Sequence, residues 1–225
     1  RDGDDVPQLY VLPLAGGEAQ RLTTLSTGVS DVKFSSDGSH IIFSSRVFPT
    51  AFTDSASKKL ADEKKKMKTK ARVYQSFPVR YWDSWLDEKQ SHIFAMELKA
   101  GAQPVNLMKD ISLVQSPGFR LGSYHFSPDG KSVVFTATTE YNTIAYQSSK
   151  SNIYSVSISG GKETTLVNDE TDYSFVEYTE DGKYLIATGS ANGNKLYYLN
   201  RVYRFDASTN SAKKELATTL DRPIN

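Results

Sequence analysis

The chain has no cysteine, which excludes disulfide stapling, thiolate chemistry and Cys-ligated metals while leaving the redox compartment open. It has no run of about 18 apolar residues, so no membrane-spanning helix is expected. Charge of one sign is lacking too. The 27 basic and 26 acidic residues leave a net charge of +1, with no global attraction to nucleic acid or to an anionic membrane. The three histidines, His40, His92 and His125, lie far apart in sequence, and no carboxylate loop has calcium spacing, so neither a metal nor a cofactor is expected. The opening Arg1-Asp2-Gly3-Asp4-Asp5 lacks the apolar stretch of a secretory signal. The chain does not begin with Met and reads as a piece of something longer, so that lack says nothing about export.

What is present is aromatic and repetitive. Thirteen Tyr and eleven Phe within a 38% hydrophobic composition suit half-buried strands, because such side chains fill a pleated surface. The phrase Phe126-Ser127-Pro128-Asp129-Gly130 recurs as Phe34-Ser35-Ser36-Asp37-Gly38 and Tyr178-Thr179-Glu180-Asp181-Gly182, each time followed by an apolar run. Gly accepts positive φ and Asp bonds the local backbone, so each phrase reads as a hairpin. A second strand pair follows in each unit, turning near Gly16-Gly17, Ala100-Gly101 and Gly160-Gly161. A fourth such pair is read at Leu196 to Leu199 and Val202 to Phe205, turning at Ala207-Ser208-Thr209-Asn210.

Short antiparallel strands repeating at about 40 to 50 residues predict an all-β fold, a partial β-propeller of about three and a half four-stranded blades with one helical insertion. A sandwich or open barrel is the alternative. The expected division of residues 1–225 is a half blade at 6–25 and blades at 29–110, 119–168 and 172–220.

The Asp-Gly turns are 52 residues apart from Asp129 to Asp181 but 92 apart from Asp37 to Asp129. The excess predicts a helix over 54–72, capped by Asp54 or Ser55, with a thin apolar stripe of Ala56, Leu60, Met67 and Ala71. From Lys58 to Arg72 it holds eight basic and two acidic residues. This is either a docking face for an acidic polymer or membrane, or a solvated helix. The lack of aromatic residues for base stacking favours the solvated helix, so no nucleic-acid partner is expected. Next comes Arg80-Tyr81-Trp82-Asp83-Ser84-Trp85, which holds both tryptophans of the chain. The structural expectation is that Trp82 and Trp85 plug the insertion onto its blade over an Arg80–Asp83 ion pair.

A Lys-rich helix, then Arg80-Tyr81-Trp82-Asp83-Ser84-Trp85, then Ser91-His92-Ile93-Phe94 resembles the amino-terminal propeller of bacterial prolyl oligopeptidase family serine peptidases. Within that family it looks most like the dipeptidyl peptidase V and acylaminoacyl peptidase branch. The Asp-Gly phrases resemble the family's blade repeat, which the TolB propeller shares. The resemblance implies a propeller that gates and orients short peptides over a carboxy-terminal α/β-hydrolase domain. Periplasmic or secreted residence is what the bacterial family suggests. The Gly-x-Ser-x-Gly nucleophile turn of that domain does not occur here: Gly189-Ser190-Ala191-Asn192-Gly193 has the wrong register. The hydrolase domain is therefore expected to be absent from this chain, and the chain alone is expected to be non-catalytic.

The resemblance makes the Trp82 to Trp85 segment the first candidate for holding a peptide's amino terminus. Asp83 would be the acceptor, the two indoles the walls and Arg80 their neighbour. The second candidate is Glu140 with Tyr141, at the start of a long connection toward Ile153, because loops carry function where strands carry packing. No Glu-Glu pair occurs, so the double-glutamate anchor of the dipeptidyl peptidase IV branch is not supplied. A TolB-like interaction propeller with no enzymatic partner is the rival reading. An open arc also leaves strand edges bare, so self-association is expected.

Overall fold

The computed structural model describes residues 4–69, 71–74, 77–193, 198–209 and 212–224. Its strands form three four-stranded antiparallel meanders and two short hairpins. A two-stranded sheet, β1 (Tyr10–Val11) with β2 (Gln20–Arg21), comes first. The first blade is β3 (Ser30–Phe34), β4 (His40–Val47), β7 (Gln90–Glu97) and β8 (Val105–Asn106). Its middle connection carries helix α1 (Asp54–Lys66) and a hairpin of β5 (Arg80–Tyr81) and β6 (Ser84–Trp85). The second blade is β9 (Arg120–Phe126), β10 (Ser132–Thr138), β11 (Asn152–Ser157) and β12 (Thr164–Val167). The third is β13 (Thr171–Tyr178), β14 (Tyr184–Ala191), β15 (Arg201–Asp206) and β16 (Lys214–Leu216). The fourth strand pair differs from expectation: strand structure begins only at Arg201, Tyr198–Asn200 are not strand, and Leu196 and Asn210 lie outside the described residues.

Period-two alternation decides which blade each side chain meets. On β4, Ile42 joins a core shared with the second blade, whereas Ile41 and Phe43 turn to the other face with Leu25, Val29 and Phe94. On β10, Val133, Phe135 and Ala137 face the first blade, and Val134 faces Tyr173, Leu185 and Phe205 of the third. Apolar runs of both parities are therefore buried on both faces, as the middle strands of a stacked blade require.

Each Asp-Gly turn is closed by one repeated set of hydrogen bonds. The hydroxyls of Ser35, Ser127 and Thr179 donate to Asp37, Asp129 and Asp181 at 2.6–2.7 Å. Each carboxylate also accepts the backbone N–H two residues on, at 3.0–3.1 Å. These bonds hold all three carboxyls below their ordinary value, Asp37 at about 2. The turns lie side by side. Ser36 Oγ donates to the Pro128 carbonyl at 2.9 Å, and Pro128 Cγ stands 3.3 Å from where a Cβ on Gly182 would sit. All three mark one end of the arc, and the connections after β4 and β10 emerge at the other.

The first strands β3, β9 and β13 lie against one another along the inner side. Each is bulged near its start, and the bulges free groups for bonds between blades. Val176 N–H donates to Ser123 Oγ at 2.9 Å, and Tyr124 OH donates to the carbonyl of Asp31, whose φ is +48.

Candidate functional site

The chain leaves β4 through buried Phe48 and Ala51 and enters α1 at Thr53, whose side chain accepts the Ala56 N–H at 3.3 Å. Thr53 is thus the cap where Asp54 or Ser55 was expected. The Asp54 carboxylate is occupied instead by Ser26, accepting its N–H and its hydroxyl at 2.7 Å each. The helix ends at Lys66, short of 72: from Lys64 to Arg72 the charged residues are all basic, and Met67, which would continue the apolar stripe, is 61% exposed. Ser57 is its fully buried residue, with Ala56 and Leu60 half-buried beside it. Met67 and Ala71 contribute nothing to that stripe.

Beneath the insertion lies a polar knot. The Asn106 amide donates to the Phe52 carbonyl at 3.3 Å and meets His92 Nδ1 at 3.1 Å, while the Phe52 ring stacks on the imidazole at 5.9 Å. Burial pushes the His92 pKa down to about 4. Its Nε2 finds no partner among the described residues.

The β5–β6 hairpin turns on Trp82-Asp83, pairing Arg80 with Trp85 and Tyr81 with Ser84. Trp82 sits at the turn with φ of +52, a left-handed conformation unusual for a bulky side chain, and is 84% exposed. Trp85 is 56% exposed, so the indoles are not the buried plug expected from composition. Strands of two residues leave no sheet face broad enough to cover a ring. The expected Arg80–Asp83 pair does not form either. The Arg80 guanidinium lies over the Trp85 ring at 5.7 Å, and among the described residues Asp83 accepts only the neighbouring Ser84 hydroxyl, at 3.2 Å. The hairpin is tied at its base by Tyr74 OH to the Leu86 carbonyl at 2.9 Å and by Leu86 N–H to the Val79 carbonyl at 3.1 Å.

Glu140 and Tyr141 begin the β10–β11 connection. Glu140 bridges in parallel to Gly118, Tyr141 N–H donates to the Gly118 carbonyl at 3.0 Å, and a short 3-10 turn follows over Tyr141–Thr143. The Glu140 carboxylate is half-buried and accepts the Lys150 N–H at 3.4 Å. It is therefore held to its own loop. Gly118 permits this approach: a Cβ there would lie 2.3 Å from the Thr139 carbonyl and from Asn142 Oδ1. Gly118→Ala is expected to cost about 1–3 kcal/mol and to free the Glu140–Tyr141 loop. Hydrogen exchange at the Tyr141 amide should quicken as the thermal midpoint falls, and an unchanged amide would refute the strut.

Both candidate segments emerge at the end of the arc opposite the Asp-Gly turns, though no contact joins them among the described residues. Arg120, which sequence reading missed, lies beside the second: its guanidinium stands 4.3 Å above the Tyr141 ring. Nothing in the sequence around it signals this, because the pairing spans a strand and a loop. Among the described residues no group of three potential metal ligands occurs, and no helix is long and apolar enough to cross a membrane.

No protein-family model matches the chain. A probable dipeptidyl-peptidase 5 from Aspergillus terreus is 30% identical over 141 residues, covering 58% of this chain and 18% of that protein. The acylaminoacyl peptidase of Pyrococcus horikoshii superposes on 96% of this chain and 29% of its own, with a TM-score of 0.62 at 12% identity. TolB from Acinetobacter baumannii superposes on 96% of this chain and 39% of its own, with a TM-score of 0.52 at 15% identity. The chain thus spans less than a fifth of the curated relative's length. It is an arc of β-propeller blades, with the fold of the TolB and peptidase propellers and a sequence likeness to a dipeptidyl-peptidase 5.

Proposed function

We propose that this arc is the non-catalytic propeller segment of a prolyl oligopeptidase family serine peptidase, of the dipeptidyl peptidase or acylaminoacyl peptidase kind. It gates and orients short peptides over a separate α/β-hydrolase domain of the same protein. The observation that carries the reading is the placement of Asp83 between two exposed indoles, on an insertion at the loop end of the blades. A peptide's α-ammonium needs a carboxylate acceptor that is not already neutralised, and Asp83 is one among the described residues. The open face of Trp82 adds attraction for that cation. Glu140, bonded within its own loop, supports Tyr141 and is less suited to be the anchor.

Asp83→Asn in the full-length protein tests this. The Michaelis constant for peptides with free amino termini is expected to rise about tenfold, with amino-blocked peptides unaffected. Equal kinetics for both classes in both proteins would remove the anchor. The likeness to TolB favours a second reading, a protein-interaction propeller. A full-length gene product without peptidase activity would support it.

A further inference from the structure

We infer that Arg120 is a carboxylate-binding residue at the loop end of the inner strands, and that the peptides this arc receives carry a free carboxylate. The inference rests on the peptide-gating reading and adds to it the chemical character of the substrate's other end.

Three observations lead there. Arg120 is the first residue of β9, an inner strand, and opens at the end where both candidate segments emerge. It is exposed, yet its guanidinium is fixed at 4.3 Å over the Tyr141 ring. Tyr141 is in turn fixed by its N–H bond to the Gly118 carbonyl. The cation is therefore preorganised by a strand on one side and a braced ring on the other, which lowers the entropy lost when it binds.

The charge on Arg120 is also unmatched. Three other basic side chains have acidic partners, Arg46 with Asp87 at 2.7 Å, Lys150 with Glu170 at 2.8 Å and Lys213 with Asp169 at 2.8 Å, whereas Arg80 on the insertion, like Arg120, lies over a ring instead. No carboxylate among the described residues pairs with Arg120, and the adjacent Glu140 bonds the Lys150 N–H instead. A guanidinium stacked on a ring keeps its edge N–H groups free, and two of them match the two oxygens of a carboxylate. Asp83 and Arg120 then offer opposite charges at one end of the arc, suited to the two termini of a short zwitterionic peptide.

The test measures binding of amino-acetylated tri- to pentapeptides, each as the free acid and as the carboxy-amide, to the protein by calorimetry. Acetylation removes any contribution from Asp83. The free acid is expected to bind about tenfold tighter than the amide. Arg120→Gln should abolish the difference and Arg120→Lys should keep part of it, each with an unchanged thermal midpoint. Asp83→Asn should leave the acid–amide difference intact. Equal binding of acid and amide to the wild-type protein would overturn the inference while leaving peptide gating in place. Persistence of the difference in Arg120→Gln would also overturn it. If no peptide bound in either form, and unblocked peptides failed as well, both readings would fall.

Discussion

Phe135→Ala is expected to destabilise the protein by about 3–5 kcal/mol, a large share of the stability of an ordinary domain. Phe135 is fully buried in the core between the first and second blades. Its ring stacks on Tyr154 at 5.6 Å, and Ile42, Ile93 and Leu107 of the first blade belong to the same core. Truncation would remove the ring from both blades at once, and β strands hydrogen-bonded on either side cannot close the gap. Phe34→Ala is the control. Phe34 opens the first copy of the Asp-Gly phrase but is 58% exposed, so its loss should change stability by no more than about 0.5 kcal/mol. Urea unfolding of the two variants measures the contrast. A Phe135→Ala loss below about 1 kcal/mol would show that the blades do not depend on their shared core.

The second large effect is expected from pH, through His92. Its folded pKa is depressed from 6.5 to about 4 by burial, so between those values the unfolded chain binds more protons than the folded one. Stability is then fully present above pH 6.5 and falls as pH drops toward 4, by about 3 kcal/mol in all. The turn carboxylates Asp37, Asp129 and Asp181 are depressed from 3.8, so their contribution is lost only at lower pH. His92→Gln keeps an acceptor for the Asn106 amide but cannot take a proton. Thermal midpoints from pH 8 to 4 should fall much less in this variant than in the wild-type protein. Parallel profiles would show that imidazole protonation is not the cause. The insertion is the part expected to loosen first, since Phe52 stacks on His92 and shares Asn106 with it.

The repeat was legible because its bonds are local. Ser127, Asp129 and Ser132 satisfy one another within six residues, and the same phrase at Ser35 and Thr179 closes the same way. An all-β propeller arc follows from such hairpins and from apolar runs on both faces of the middle strands. Helix α1 was legible in existence but not in extent. Its cap moved to Thr53 because Asp54 is engaged by Ser26, 28 residues away, and its end came early, with Met67 left exposed. The exposure of Trp82 and Trp85 could not be read from composition. Large aromatic residues are usually covered, and only the two-residue strands of their hairpin show that these are not.

The sequence by itself determined the hairpins, their order, the place of the insertion and the absence of thiol chemistry, because each depends on neighbours along the chain. The tertiary structure decided what depends on distant segments. It set the inner-strand bulges that bond Ser123 to Val176, the brace of Gly118 under Tyr141, and the place of Arg120 over that ring, with no carboxylate partner among the described residues. These contacts arise only when blades pack side by side, where backbone approach and desolvation, rather than local propensity, set which group meets which.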